Sequence, residues 1–232
     1  MDAPADRRFF TVVALGLIGI VFTGFFRTFY FSPLFLKEPL PLLLILHGGV
    51  MTAWYALFLL QVRLLAARRV DLHRRLGYAS LVLAGLVVVL GFIVSMKLAQ
   101  VRLRHDAQSA EGPFLLGVQV FCILLPFLVL YGSGILYRRR PDLHKRLMAL
   151  AMFSTVGPAV VRLPFLPNHN VPVGIAASLS LVLAFLVGDW VSSRKLHRVT
   201  ALGTGLIILS TFAGAAFSST GIWIGLVRRL LA

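Results

Sequence analysis

The chain has 232 residues, of which 59% are hydrophobic and only 13% are charged. Because a soluble domain carries about 25% charged residues, this composition excludes an ordinary water-soluble globular protein. The net charge is +15, but the Lys and Arg residues flank apolar stretches instead of covering one face of a soluble module. They are therefore expected to mark membrane topology, and nucleic acid is not an expected partner.

Seven apolar stretches follow one another along the chain, separated by short loops. A transmembrane helix needs about 20 largely apolar residues to cross the hydrocarbon core. We therefore predict an all-α polytopic bundle of seven transmembrane helices, which forms a single transmembrane domain over 1–232. The predicted helices cover 9–31, 40–66, 76–98, 113–137, 147–166, 171–191 and 199–227.

The first stretch follows Arg7 and Arg8, as the apolar region of a signal peptide follows its basic region. No small-residue cleavage site comes after it, because Phe25, Phe26 and Arg27 follow instead. An uncleaved first helix is the expectation.

Basic residues alternate in density between the two ends of the predicted helices. With seven spans, 15 Lys and Arg residues lie on the side of the N-terminus and 8 on the opposite side. The positive-inside rule then predicts a cytoplasmic N-terminus and an external C-terminus, in a bacterial inner membrane. The residues expected to contact anionic lipid headgroups are Arg74, Arg75, Lys145, Arg146 and Arg198.

The second predicted helix carries a polar stripe. His47, Met51, Trp54 and Gln61 recur at helical spacing, so they share one face and are candidate cofactor-binding residues. An ionisable side chain inside a membrane is expensive and should face protein, a cofactor or water. His47 is therefore either an axial ligand or proton-handling group, or a buried histidine bonded to another helix, for example to Gln119.

A short motif recurs at the cytoplasmic ends of three helices. Residues 70–76, 141–147 and 194–199 share a Leu-His-basic core that contains His73, His144 and His197. Asp71 and Asp142 precede two of these cores and are predicted to be helix N-caps.

The histidines of this motif have two open interpretations. Two of them at one membrane level on neighbouring helices can ligate a haem iron or sense pH, with His73 and His144 as the candidate metal ligands. Alternatively, they are polar residues at headgroup level within a basic turn. His105 and His169 fall in predicted outer loops, where a solvated role is expected.

Two further charged residues lie close to predicted helices. Asp189 is expected to form an ion pair with a basic residue such as Arg194, or alternatively to relay protons. Arg162 interrupts the weakest stretch between Pro158 and Pro164; it is expected to pair with a carbonyl or a headgroup, or to clamp an anionic ligand.

Several functions of membrane bundles are not supported by the sequence. Region 199–227 contains no lysine for a retinal Schiff base, and zinc-binding HxxxH or HExxH spacings are absent. Glycine-rich phosphate loops are absent as well.

Two resemblances rest on the histidine-containing segments. From His47-Gly48 through Gln61 to the run His73-Arg74-Arg75-Leu76-Gly77, the chain resembles bacterial multi-pass membrane proteins with an HRxLG motif, a domain of unknown function. This resemblance implies a fold and no activity.

The chain is also weakly similar to the transmembrane cytochrome b561 proteins, which pass electrons through two b haems held by histidines on four consecutive helices. His47, His73 and His144 match three of these ligands. Because 113–137 contains no histidine, the resemblance implies only an inner haem, held between His73 and His144.

Two classes of function therefore stay open. The first is a non-catalytic membrane protein, either an accessory or scaffolding subunit of a larger membrane complex or a binder of lipid, quinone or pigment. The second is a b-haem redox protein that exchanges electrons with a quinone.

Overall fold

The computed structural model describes residues 4–166 and 171–231, and all regular secondary structure within these ranges is helical. The bounds are α1 Pro4–Phe25 with a π-helical continuation Phe26–Tyr30, α2 Ser32–Phe35, α3 Leu42–Ala66, α4 Val70–His105, α5 Glu111–Gly117 with a π-helical continuation Val118–Leu124, α6 Leu125–Leu136, α7 Pro141–Thr155, α8 Gly157–Val160, α9 Val171–Ser193, α10 Arg198–Ser218 and α11 Gly221–Leu231.

Six of the helical segments in the described part of the chain are long and apolar enough to cross a membrane. They are Asp6–Tyr30, Leu42–Ala66, Val70–His105, Glu111–Leu136, Pro172–Ser193 and Arg198–Ser218. The helical structure and these six long apolar helices confirm the prediction of an all-α protein of the multi-pass membrane type.

The predicted helix over 147–166 differs from the observed structure. Helix α7 begins earlier, at Pro141, and ends at Thr155, after which the short helix α8 contains Pro158. Proline lacks the N–H group that would continue the helical bonding pattern, and it disfavours helical geometry at the preceding residue. The segment is therefore helical but interrupted, and it is too short to count among the six long apolar helices.

The predicted helix over 199–227 is likewise interrupted. Helix α10 ends at Ser218 and a separate helix, α11, begins at Gly221. The Thr220 hydroxyl accepts a hydrogen bond from the backbone N–H of Trp223 at 3.3 Å, which caps the new helix. The Trp223 indole N–H donates to the carbonyl of Pro113 at 2.8 Å, so α11 folds back onto α5.

The predicted N-caps are also wrong. Helix α4 begins at Val70 after Arg69, and α7 begins at Pro141 after Arg140. Asp71 and Asp142 are consequently the second residues of their helices, and neither helix has a side-chain capping bond. Their negative charges still lie in the first turn, where they interact favourably with the helix dipole.

The core of the bundle is organised around α7. Nine of the 15 residues in this helix are buried, and it packs against α1, α6, α9 and α10. Helices α3 and α4 form a hairpin beside it. The first turns of α4 and α7 therefore lie at one end of the bundle, where the repeated Leu-His-basic motif is found.

Candidate functional site

His73 and His144 lie side by side at the end of the bundle that carries the basic turns. Their ring centroids are 6.3 Å apart and the ring planes are nearly perpendicular, at 86°. His73 belongs to the first turns of α4 and His144 to the first turns of α7. The repeated motif thus brings two imidazoles to the same level on different helices.

The orientation of the His144 ring is fixed by a backbone group. Its Nδ1 atom lies 2.8 Å from the carbonyl oxygen of Gly134, near the end of α6. Because a carbonyl oxygen only accepts, Nδ1 carries the proton in this bond. The Nε2 lone pair is then available to accept a hydrogen bond or to ligate a metal, an arrangement typical of ligating histidines.

Three buried polar atoms of α3 and α4 have no hydrogen-bond partner within the described residues: Trp54 Nε1, Gln61 Oε1 and His73 Nδ1. Trp54 and Gln61 lie on one face of α3, two turns apart, and the His73 ring contacts the backbone of Gln61. We call His73, His144, Gln61 and the Gly134 carbonyl the inner histidine site.

Aromatic residues of α6 continue this polar region towards the middle of the bundle. The Trp54 ring packs edge-on against Phe127 and Tyr131, each with centroids 5.4 Å away. The Tyr131 hydroxyl lies 2.8 Å from the hydroxyl of Ser80, which donates to the Gly77 carbonyl. Met51 of α3 packs against the buried hydrophobic residues of the bundle core. Sequence analysis did not identify Tyr131 and Ser80. Their contact joins α6 to α4, so no short sequence motif indicates it.

His47 lies apart from the inner histidine site, in the opposite half of the bundle. It is half-buried in α3, and its Nδ1 atom is buried without a partner in the described ranges. A Cβ atom placed on Gly91 would lie 3.9 Å from His47 Cε1 and 3.2 Å from Gln119 Nε2. The side chains of His47 and Gln119 therefore both lie beside Gly91, although the expected hydrogen bond between these two described residues is not observed.

A buried ion pair joins α7 to α9. The Arg146 Nε atom donates to Asp189 Oδ2 at 2.9 Å, and both side chains are only 1% exposed. The Thr200 hydroxyl donates to the same carboxylate oxygen at 2.6 Å. Asp189 was expected to pair with a residue such as Arg194; its partner is instead Arg146, 43 residues away.

Two of the five residues expected to contact lipid headgroups are engaged inside the protein. Arg146 is buried by the pair just described, and Lys145 is 11% exposed and bonded to Asp6, with Asp142 3.4 Å away. These side chains differ from the expectation because acidic residues lie within their reach. The other three, Arg74, Arg75 and Arg198, are exposed.

His197 lies directly before α10 and close to the buried ion pair. Burial and the positive charge of Arg146 lower the pKa of His197, while the nearby carboxylate of Asp189 acts in the opposite direction. This third histidine of the repeat does not share the pairing seen for His73 and His144. His105 is exposed at the end of α4, and the expectation for His169 falls outside the described residues.

Arg162 lies in the turn after α8. Its Nη1 atom donates to the carbonyl of Pro158 at 2.6 Å, and its guanidinium lies 5.1 Å from the centroid of the Phe25 ring. The expected pairing of Arg162 with a carbonyl group is therefore observed.

The chain was also compared with known proteins. No protein-family model, curated protein or solved structure matches it. The two resemblances drawn from the histidine motifs therefore stay predictions, and function is argued from the site alone.

Proposed function

We propose that the protein is a non-catalytic integral membrane protein that binds a hydrophobic ligand with polar groups at the inner histidine site. The observation that carries this proposal is the pair of imidazoles 6.3 Å apart, one of them oriented by a backbone carbonyl. A histidine pair held in this way offers two directional polar groups to one molecule between helices α3, α4, α6 and α7.

The cost of unpaired polar groups supports the same proposal. A polar atom buried without a hydrogen bond costs about 1–3 kcal/mol, and more where hydrocarbon replaces water. Two such atoms, His73 Nδ1 and Gln61 Oε1, belong to residues of the inner histidine site, and a third, Trp54 Nε1, lies two turns away along α3. A bound ligand that supplies complementary polar atoms would offset this cost.

A b haem is a second and more specific candidate ligand. Histidine nitrogens are common protein ligands of haem iron, and the His73 and His144 rings lie on different helices with their centroids 6.3 Å apart. When bound, a haem would supply one-electron redox chemistry; His73 and His144 would hold it, and Gly134 would orient His144.

The space beside the histidines is compatible with a flat ligand. Gly77 lies one helical turn from His73, and a Cβ atom placed there would meet nothing within 4 Å. Gly134, in contrast, is packed against Met148, whose Cε atom would lie 2.6 Å from such a Cβ atom. The open surface is therefore on the α4 side of the pair.

The test is an absorbance spectrum of the purified protein, with organic extraction to identify bound small molecules. We expect a bound chromophore or quinone in the wild type and its loss in His73→Ala and His144→Ala. His105→Ala, at an exposed histidine, is the matched control and should retain the ligand. A reduced-minus-oxidised Soret change would identify the ligand as haem.

A colourless preparation whose extract contains no organic ligand besides ordinary phospholipid would contradict the proposal. Retention of the ligand in both His73→Ala and His144→Ala would also reject the inner histidine site. In that case an accessory or scaffolding subunit would be the better description, and co-purifying membrane subunits would be its test.

We further propose that seven segments cross a bacterial inner membrane, with the N-terminus in the cytoplasm and the C-terminus outside. The contacts of α1 support a crossing by the α7–α8 segment. Asp6, near the start of α1, bonds Lys145, and Gly24, near its end, packs against Ala159. These contacts are 18 residues apart on α1, or about 27 Å at 1.5 Å per residue, which is close to the thickness of the hydrocarbon core.

The basic end of the bundle supports the proposed orientation and a contact with anionic lipids. Arg74, Arg75 and Arg198 are exposed at this end, beside the first turns of α4 and α10. Long basic side chains at such positions reach the phosphates while their stems cover apolar surface.

A further inference from the structure

A small cavity lies between α4 and α11, at the end of the bundle opposite the basic turns. Its volume is about 270 Å³, and it is lined by Gln100, Leu103, Arg104, Ala107, Arg228 and Leu231. The lining residues of each helix are three or four positions apart and therefore share one face of that helix. Pockets for drug-sized ligands measure about 300–1,000 Å³, so this cavity suits a single small polar group.

The cavity is positively charged. Arg104 and Arg228 line it from different helices, and none of its described lining residues is acidic. The acidic residues that are close in sequence are engaged elsewhere: Asp106 accepts a bond from a backbone N–H of its own turn at 2.9 Å, and Glu111 pairs with Arg102 at 3.1 Å. Two guanidinium groups that share a cavity repel each other, so a bound anion would offset this repulsion.

Arg228 is held in place and still has donors to offer. Its Nη2 atom donates to the carbonyl of Gln108, and its Nη1 atom lies 3.5 Å from Gln108 Oε1. Its Nε atom is buried and has no hydrogen-bond partner among the described residues. A guanidinium carries five N–H donors in a planar fork that matches phosphate oxygens. The donors that Gln108 does not use, together with those of Arg104 and of the Gln100 amide, can bind an anion.

The position of the cavity along α4 corresponds to the membrane surface. Residues 76–96 of this helix contain no charged side chain and extend over about 32 Å at 1.5 Å per residue, which matches the hydrocarbon core of about 30 Å. Gln100 and Arg104 follow one and two turns after Lys97, the first charged residue beyond this run. Helical side chains tilt towards the N-terminus of their helix, which is here towards the membrane. The two side chains are therefore expected at the level of the lipid headgroups.

Helix α11 is suited to the same level. Ile222, Leu226 and Leu230 are exposed and recur every fourth residue, so they form one apolar stripe. The helix has 11 residues and extends over about 16 Å, which is too short to cross the hydrocarbon core. A helix with an apolar stripe and arginines at other positions is typical of the membrane interface, with the stripe among the acyl chains. Arg228 then lies beside the phosphates.

From these observations we infer that Arg104, Arg228 and Gln100 form a binding site for a phosphate group. The two guanidinium groups and the Gln100 amide donate hydrogen bonds to the phosphate oxygens. The apolar stripe of α11 favours a phospholipid of this leaflet as the source, with its phosphate in the cavity and its acyl chains outside. The site lies at the opposite end of the bundle from the exposed arginines of the basic turns, and it does not depend on the ligand of the inner histidine site.

The test is calorimetric titration of the purified full chain, in an uncharged detergent, with dihexanoyl phosphatidylglycerol and separately with inorganic phosphate. Wild-type protein should bind the lipid with saturation, and Arg104→Gln and Arg228→Gln should each raise Kd at least tenfold. Ala107→Phe keeps both charges but fills part of the cavity, and it should weaken binding as strongly. Arg102→Gln and Arg229→Gln are the matched controls and should retain the wild-type Kd, because each removes one charge from the same helix outside the cavity.

The inference is overturned if neither probe binds with saturation, or if the wild type, Arg104→Gln and Arg228→Gln bind equally. An equal loss in Arg229→Gln would also contradict it, because net charge and not the cavity would then be responsible. Inorganic phosphate that binds as tightly as the lipid would support the site with free phosphate as its ligand, whereas weaker binding would support the phospholipid.

Thermal unfolding of each variant shows whether it is folded. Should the half-buried Arg228 be required for folding, Arg104→Gln and Ala107→Phe decide, since both positions are exposed. His144→Ala should retain the wild-type Kd for the lipid, so a failure of the inner histidine site and a failure of this site are distinguishable.

Discussion

Arg146 is the residue on which the packing of the basic end depends most strongly. Its guanidinium is 1% exposed and bonds Asp189 Oδ2, while its Nη1 atom donates to the carbonyl of Asp142 at 2.9 Å. Removing one partner of a buried pair leaves an uncompensated charge, whereas replacing both partners by apolar residues is often tolerated.

We therefore predict that Arg146→Met destabilises the protein by about 3–5 kcal/mol. The double variant Arg146→Met with Asp189→Leu should recover most of this loss, because no unpaired charge is left. The measurement is the free energy of unfolding in mixed detergent micelles. The control is Arg139→Met at an exposed position, which should stay within about 0.5 kcal/mol of the wild type.

A double variant as unstable as Arg146→Met alone would show that the pair is not the source of the effect. The Thr200 hydroxyl, which donates to the same carboxylate, offers a smaller test of the same network. Its removal in Thr200→Val should cost about 1.5–3 kcal/mol, as expected for a hydrogen bond to a charged group.

At the scale of single residues, sequence analysis predicted positions better than partners. The 3.6-residue period placed His47, Trp54 and Gln61 on one face of a helix, because that period follows from local geometry. The pairing of Asp189 with Arg146 could not be predicted, since it joins residues 43 positions apart. Proximity in sequence favours Arg194 as the partner, but no ion pair or side-chain hydrogen bond joins these two described residues.

Among the helices, α1 and α8 approach each other closely at Gly24 and Ala159. A Cβ atom on Gly24 would overlap the carbonyl oxygen of Ala159. Glycine is required here because any side chain would displace α8 from α1. This contact also anchors the end of the interrupted segment formed by α7 and α8.

We predict that Gly24→Ala destabilises the protein by about 1–3 kcal/mol, as overpacking does in well-packed interiors. The matched control is Gly16→Ala on the same helix, where a Cβ atom would meet nothing within 4 Å. That substitution should be neutral or should stabilise α1 by about 0.5–1 kcal/mol, because alanine favours helices. Unfolding in detergent measures both, and equal effects at the two glycines would contradict the predicted contact.

Hydropathy predicted the helices that face lipid and was less accurate for α7. Six apolar stretches correspond to the six long apolar helices. Helix α7 begins six residues before its predicted start at 147, because Asp142, Lys145 and Arg146 resemble a loop in sequence while their charges are paired in the structure. The breaks before Pro158 and after Ser218 depend on local bonding that a hydropathy window averages out.

For the molecule as a whole, the order of helices defines which ends meet. Asp6, Arg146, Asp189 and Thr200 lie at one end of the bundle, joined by the contacts described above. At the other end, Arg102 pairs with Glu111 at 3.1 Å and α11 packs on α5. An odd number of crossing segments is the arrangement that places the two chain ends on opposite sides.

We predict that reporters fused to the two ends of the chain are active in opposite compartments of a bacterial cell. Alkaline phosphatase at the C-terminus should be active, and green fluorescent protein at the N-terminus should fluoresce, because each folds only on its own side. Exchanging the two reporters should abolish both signals and serves as the control. Two ends in the same compartment would mean that only six segments cross.

The burial of Arg146 also has a consequence for biosynthesis. Asp189, which carries the opposite charge, is translated 43 residues after Arg146. Helix α7 is therefore synthesised before α9, the helix that contains Asp189. Until α9 is synthesised, the guanidinium lacks this partner and is expected to stay in water or among lipid phosphates at the membrane surface. The final insertion of α7 between its neighbours is therefore a late event, coupled to the arrival of the last third of the polypeptide.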